Sequence, residues 1–288
     1  MTVRVTPIME PAIRPVAEFL AKHMHGGVSA DAWAQAMNVP WEPPVSNRGF
    51  MLLDGEDVVG AYLAFYSSRV IDGSTEQFCN LGTWCVLPDY RLHSLRLTRS
   101  LLDQPDLHFT DLSPGPGVAK LNSRLGFQTL DSTITETRAL PWPSLPGGVV
   151  ISAAPDIIEQ TLTGVDLAIY RDHRDAAAAH HLVIRAGGES CHVVYRKATP
   201  GRIRKVPFVW VLHVSNRSLF VRSARHVARH LLIRHGALAV RAELRVVGAP
   251  LGPSSVRQIP HVRRMYKSPY LKPDQIDYLY SELCCLQW

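Results

Sequence analysis

Hydrophobic residues recur along this chain with two periods, and the switches between them mark its elements. Val16, Phe19 and Leu20 share one face of a helix over residues 15–23. Trp33, Ala36 and Met37 do the same in a second helix that Ser29 is placed to N-cap. The period then shortens to that of strands. Residues 49–53 and 58–67 read as the arms of a hairpin across Asp54-Gly55, a pair suited to a tight turn. A further strand centres on the apolar run 81–87 and stops at Pro88, whose nitrogen cannot donate to a ladder. Beyond it Leu92, Leu95, Leu101 and Leu102 return to helical spacing. Residues 107–112 read as another strand, 118–125 as a short helix, and Gly126-Phe127 as the way into the next strand.

The same order then recurs. After the proline- and glycine-dense stretch 141–148, which reads as a linker, residues 156–162 and 165–181 read as helices. Strands follow at 181–184, 192–196 and 208–214, then a helix at 223–234 and a strand at 237–247. Helices, three strands, helix, strand is the order of the first half, so the pattern predicts a tandem repeat of mixed α+β class. The expected domains are 1–140 and 149–288.

Composition narrows the class. At 288 residues the chain is long for one domain and natural for two, and its 46% hydrophobic and 19% charged residues are those of a soluble globular protein. No apolar run is long enough to span a bilayer, and residues 1–10 lack the pattern of a signal peptide. The five cysteines are odd in number and without ligand spacing, which argues against a disulfide framework or a metal site and for a reducing cytoplasm. Charge is unevenly divided. Residues 1–148 hold 11 Lys and Arg against 15 Asp and Glu, a net −4; residues 149–288 hold 20 against 10, a net +10. The basic half is either a solvated surface or a face for an anionic partner. Its arginines come with no aromatic stacking signature, which argues against nucleic acid.

The stretch 79–102 carries the chemistry. Strand, turn and helix start aim backbone N–H groups at one point, with the positive end of a helix dipole behind them, and this suits a phosphate. Val86, Pro88, Tyr90 and Arg91 ahead of a helix resemble motif A of the GNAT superfamily of acyl-CoA-dependent N-acyltransferases. In that family an Arg/Gln-x-x-Gly-x-Gly/Ala loop binds the pyrophosphate of coenzyme A. Leu121, Asn122, Ser123, Arg124, Leu125, Gly126 and Phe127 are similar to the Leu-Gly-Phe ending of the family's next helix and strand. The resemblance spans roughly residues 14–135.

It implies a lobe with a mostly antiparallel twisted sheet, flanked by helices, whose two central strands splay. The pantetheine arm would lie in the splay against the backbone of Cys85, Val86 and Leu87. The diphosphate would lie at Arg91, Leu92, His93, Ser94, Leu95 and Arg96. Acetyl-CoA or another acyl-CoA would be the cosubstrate, without a metal, and the acceptor an amine on a small molecule or peptide, attacking directly in a ternary complex. The helix pair and its loop would line the acceptor pocket, bringing in Trp33 and Trp41, which core packing explains equally well.

The sequence also departs from the pattern. Ser94 stands where the family has its first glycine, and Arg96 where it has glycine or alanine. Serine lets an anion approach; Arg96 must swing outward or itself pair with a phosphate. Asn122 stands where many members carry the tyrosine that protonates the leaving thiolate. The second copy reads Val214, Ser215, Asn216, Arg217, Ser218, Leu219 at the equivalent place, with no glycine following, and is expected to be degenerate.

Acyl transfer to an amine needs a base, donors for the oxyanion and a proton for the thiolate. Asn80, on the motif strand, cannot be a base but can orient water or the amine. Asp111 and Ser113 sit on the facing strand; Asp111 is either the base or a cap of the turn into Pro114. Cys85 is either an acylated nucleophile or inert packing, and His93 either a cofactor contact or simply exposed. His173, His180 and His181 are expected on one helix. Tyr266 and Tyr280 are candidate acids in a cleft shared by the two halves, and residues 278–283 are expected to pack the second core. The rival class is a non-catalytic GNAT-fold protein that binds acyl-CoA or a partner.

Overall fold

The computed structural model describes residues 3–24, 26–141, 148–198, 207–252, 256–258 and 263–287. Most of the expected linker, 142–147, lies outside them.

The first half builds β1 (Arg4–Pro7), α1 (Ile13–His23), α2 (Ala30–Met37), β2 (Gly49–Asp54), β3 (Asp57–Ile71), β4 (Ser74–Val86), α3 (Ser94–Leu102), β5 (His108–Asp111), α4 (Pro116–Arg124) and β6 (Gln128–Thr129). Local chemistry fixes the boundaries. Ser29 accepts a hydrogen bond from Ala32 N, capping α2. Asp72 and Gly73 both have positive φ, at 50° and 86°, and turn β3 tightly into β4. Between β4 and α3 stands a 3-10 helix, Pro88–His93. Its three-residue turn breaks the expected leucine phase: Leu97 and Leu101 are buried, each contributing about 2 kcal/mol, while Leu92 and Leu95 are 94% and 57% exposed.

The remainder builds β7 (Ile134–Arg138), β8 (Val150–Ser152), α5 (Pro155–Thr161), α6 (Gly164–His173), β9 (His180–Ala186), β10 (Glu189–Ala198), β11 (Phe208–Val214), α7 (Arg217–His235), β12 (Ala239–Glu243), α8 (Leu244–Val247), β13 (Val256–Arg257), β14 (Met265–Lys267) and α9 (Glu282–Cys285). Among the described residues these strands form two seven-stranded sheets, in the orders β1-β2-β3-β4-β5-β14-β6 and β13-β7-β12-β11-β10-β9-β8. Each has four antiparallel strands, one parallel pairing (β4 with β5, β11 with β12), and then an antiparallel neighbour. The repeat is therefore present, in mixed α+β form.

The repeat is not two consecutive blocks. The compact units are 1–130 with 263–276 and 280–288, and 131–262 with 277–279. This corrects the division at 141–148. The strand following β6, β7, pairs with β12 in the second sheet, while β14 fills the corresponding place in the first, between β5 and β6. Each copy completes its sheet with a strand from the other half of the sequence. Sequential order alone does not reveal this, because β14 is only three residues long and its partners, β5 and β6, lie far away in the chain.

The first core packs Tyr62, Tyr66, Leu81, Leu97, Leu101, Phe109 and Met265 together. The second packs Val193, Tyr195, Val209 and Val211 against Phe220, Val227 and Leu231 of α7. Asn216 caps α7 with its own side chain, accepting from Leu219 N, so that helix start satisfies itself. His180 and His181 lie on β9, not on a helix with His173; α6 ends at His173. His181 Nδ1 stands 3.1 Å from His192 Nε2. Residues 278–283 divide between the units. Tyr278 bonds Glu243 and accepts from Arg245 in the second, whereas Tyr280 packs edge-on against Trp41 in the first. All five cysteines are free thiols.

Candidate functional site

The candidate site lies in the first unit, where β4 and β5 part. They pair only at Phe78↔His108, Cys79↔Phe109 and Asn80↔Thr110, while β4 runs on along β3 to Val86. The cause is a bulge. From Ala64↔Leu81 to Tyr62↔Trp84, β4 advances by one residue more than β3, which bends the strand away from its neighbour. Gly82 sits in this bulge, where a Cβ would stand 2.8 Å from Cε2 of Phe65, so a side chain does not fit.

A cavity of about 390 Å³ opens in the gap. Gly82, Thr83 and Trp84 line it from β4, and Asp111, Ser113 and Val118 from the opposite side. Met24, Val28 and Trp33 come from the helix pair and its loop, and Glu282 and Leu286 from the C-terminal segment. Trp41 does not line it; its indole N–H donates to Tyr66 O at 2.8 Å within the core.

Its polar wall is a chain of hydrogen bonds. Asn122 Nδ2 donates to Asp111 Oδ2 at 2.7 Å, and Ser113 Oγ donates to Glu282 Oε1 at 2.6 Å. Glu282 N donates to Asn80 Oδ1 at 3.3 Å, and Asn80 Nδ2 donates to Thr110 Oγ1 at 3.0 Å. Burial first, then the neighbouring Glu282, pushes the Asp111 carboxyl up to about 8; bonds from Asn122 and the Ser113 backbone, and the charge of Arg264, act the other way. Asp111 accepts from the Ser113 backbone, as a turn cap does, and it also lines the cavity.

Asp111 and Ser113 thus come to one wall, and Asn122 is bonded to Asp111 without lining the cavity itself. Asn80 adjoins it, its amide committed to clamping β4, β5 and the C-terminal segment. Glu282 completes the wall and was missed. Its available signal was a single acid inside the apolar run 278–286, a residue type that is seldom buried without a purpose.

The residues expected at the diphosphate stand apart from this wall, on the turn after β4. Arg91 and Leu92 are exposed there. Ser94 Oγ donates to Arg91 O at 2.7 Å, and Arg96 swings outward to donate to Val3 O at 2.9 Å, 3.4 Å from His93 Nδ1. Tyr90 pins the turn to the hairpin by donating to Asp54 at 2.7 Å. Cys85, Val86 and Leu87 are half-buried at the end of β4, and burial pushes the Cys85 thiol up, which keeps it protonated and unreactive. Tyr266 donates to Gln128 at 2.9 Å; it and Tyr280 both belong to the first unit, and neither lines the cavity. Among the described residues no helix is long and apolar enough to cross a membrane, and no group of His, Cys, Asp or Glu is placed to hold a metal ion.

No protein-family model and no curated protein matches the sequence. Solved structures match the fold. A GCN5-related N-acetyltransferase from Anabaena variabilis aligns with TM-score 0.58 over 92% of this chain and 72% of its own, at 10% identity. One from Kribbella flavida aligns with TM-score 0.57 over 92% and 70%, at 17% identity. N-myristoyltransferase from Saccharomyces cerevisiae, solved with bound myristoyl-CoA, aligns with TM-score 0.50 over 99% and 89%, at 9% identity. At such identities the likeness is one of architecture. The chain has the GNAT fold, in two copies.

Proposed function

We propose that the first unit is an acyl-CoA-dependent N-acyltransferase. The observation that carries this reading is the cavity between the parted strands, with Asp111 in its wall. Beyond Asn80 the edge of β4 that faces β5 has no partner strand among the described residues, so an extended amide-bearing arm can pair with it. The arm of acyl-CoA would lie along Cys85, Val86 and Leu87. Its diphosphate would meet Arg91 and the main chain of Leu92, His93, Ser94, Leu95 and Arg96, and a backbone N–H of Cys85 or Val86 would hold the oxyanion.

The amine enters the cavity beside Asp111. Its nitrogen attacks the thioester carbon, the N–H proton passes to the Asp111 carboxylate, the C–N bond forms and the C–S bond breaks. The proton taken up by Asp111 would then pass to the departing thiolate, since Asn122 has no acidic proton to give. A carboxyl raised to about 8 is basic enough for this work near neutral pH, and the rate should climb as pH rises through that value.

The test is calorimetry with acetyl-CoA and longer acyl-CoAs on the wild type and Arg91→Ala, followed by thiol release with a panel of amines on the wild type and Asp111→Asn. Arg91→Ala should weaken acyl-CoA binding, and Asp111→Asn should lower kcat by about a hundredfold or more. Absence of acyl-CoA binding, or an unimpaired Asp111→Asn, refutes the reading. A non-catalytic acyl-CoA binder is the second reading, supported by the internal bonds that occupy Ser94 and Arg96. It predicts binding without thiol release for any amine.

A further inference from the structure

The second unit carries a cavity of its own, about 460 Å³ in volume, on the flank of α7 beside the edge strand β8. Val149 and Ile151 line it from β8 and the residue before it, and His226, Arg229, His230, Ile233 and Arg234 from α7. The spacing of the helical residues, i, i+3, i+4, i+7 and i+8, puts them on one face. The opposite flank of the same helix, with Val227, Ala228 and Leu231, is buried in the core. The cavity is thus walled by two kinds of side chain, nitrogen bases and branched aliphatic groups, and among the described residues no carboxylate lines it. Ile233 is 67% exposed, which leaves apolar surface for an occupant to cover.

The charge here is one-sided. No acid occurs anywhere in α7. Arg222 is paired with Glu189, and Arg229 has an interaction of its own. Arg234 makes no hydrogen bond or ion pair among the described residues, and its charge falls on other bases. Burial first, then Arg234, holds His230 below its ordinary value; burial, then Lys197, Arg234 and His230, do the same to His235. His230 is therefore neutral at pH 7, and Arg234 is the cation in this wall that remains for a ligand. A merely solvated basic face accounts for the composition of α7, but not for a hollow with an aliphatic side.

From this placement we infer that the cavity takes a small amphiphilic monoanion, a carboxylate carried on an aliphatic tail. The guanidinium fork of Arg234 matches a carboxylate in shape and charge, and the tail lies against Val149, Ile151 and Ile233. The volume is that of on the order of fifteen waters, enough for a tail of about six carbons or more. This gives a use to part of the excess positive charge of residues 149–288. It does not depend on the acyltransferase reading of the first unit.

Three probes separate head from tail: hexanoate, acetate, which has the head alone, and 1-hexanol, which has the tail alone. Binding to the full-length protein is read at pH 7 and low salt from the imidazole ring signals of His226 and His230, each assigned by its glutamine variant. Ligand held in the first unit then does not count. Hexanoate should bind about tenfold more tightly than acetate and about tenfold more tightly than 1-hexanol. Arg234→Gln should bring hexanoate level with 1-hexanol. Ile233→Ser should narrow the lead of hexanoate over acetate by about threefold. Both side chains are exposed, so both variants should fold as the wild type does. Failure of hexanoate to move either ring signal, a lead over neither acetate nor 1-hexanol, or ratios that neither variant alters overturns the inference. Acyl transfer by the same samples, present or absent, bears on the first unit alone.

Discussion

Replacing Asp111 by asparagine tests the electrostatics of the cavity wall without relying on any substrate. The carboxyl titrates at 3.8 in a model compound and at about 8 in the folded protein, with burial as the main cause. The folded state therefore keeps a proton that the unfolded chain has already lost. In that window the folded state binds more protons than the unfolded one, so raising the pH withdraws stability. The slope is about 1.4 kcal/mol per pH unit, and between roughly pH 5 and pH 9 the loss from this one group comes to about 4 kcal/mol. Asparagine matches the neutral carboxyl in shape and can still accept from Asn122, but it does not titrate. Urea unfolding of the wild type and Asp111→Asn across this range should show an advantage for the variant of about 1–2 kcal/mol at the acid end, growing steadily toward the alkaline end. Parallel curves would mean that the carboxyl is hydrated or paired more strongly than the structure shows, and would remove the basis for treating it as a near-neutral base.

Three further expectations follow from the fold. Gly82→Ala places a methyl against the Phe65 ring, and should cost about 1–3 kcal/mol in denaturant melts and reduce occupancy of the cavity by acyl-CoA. In the second unit burial lowers His181 to about 4 and holds His192 and His213 below their ordinary value. Their stabilisation is complete above pH 6.5 and is lost as pH falls, by about 2 kcal/mol at pH 5 from His181 alone. Hydrogen exchange corrected for intrinsic rates should show strands β9, β10 and β11 losing protection at that pH while β3 and β4 do not. A fragment of residues 1–140 should lack the near-ultraviolet signature of a packed core, because it lacks β14 between β5 and β6; a folded monomeric fragment would contradict the observed strand order.

Much of the first copy was readable because its signals are local. Ser29 caps its helix through a bond three residues away, Asp54-Gly55 turns its hairpin, and Pro88 closes its strand. The repeat was likewise legible in the order of periods. The phase of the leucines after Pro88 was not, because a stretch wound with three residues per turn precedes α3 and sends Leu92 and Leu95 outward. His180 and His181 were misplaced for a related reason: an alanine-rich run, 176–179, favours a helix by propensity, but pairing with β10 makes the next residues a strand. What Glu282 and Asn122 face was beyond local reading, although an acid in an apolar run and an asparagine in the tyrosine's place were visible in the sequence. Each becomes meaningful only opposite a residue far away in the chain, Ser113 for one and Asp111 for the other.

The placement of β14 bears on how this protein is made. Ribosomes release a chain from its N-terminus, at roughly 5–20 residues per second. The first lobe therefore leaves the exit tunnel with a vacancy in its sheet, and the strand that fills it is translated on the order of ten seconds later. Through that interval β5 presents a bare edge, the kind of surface that holding chaperones cover and that crowded nascent chains stick to. Completion of that sheet thus waits until the intervening lobe has been synthesised.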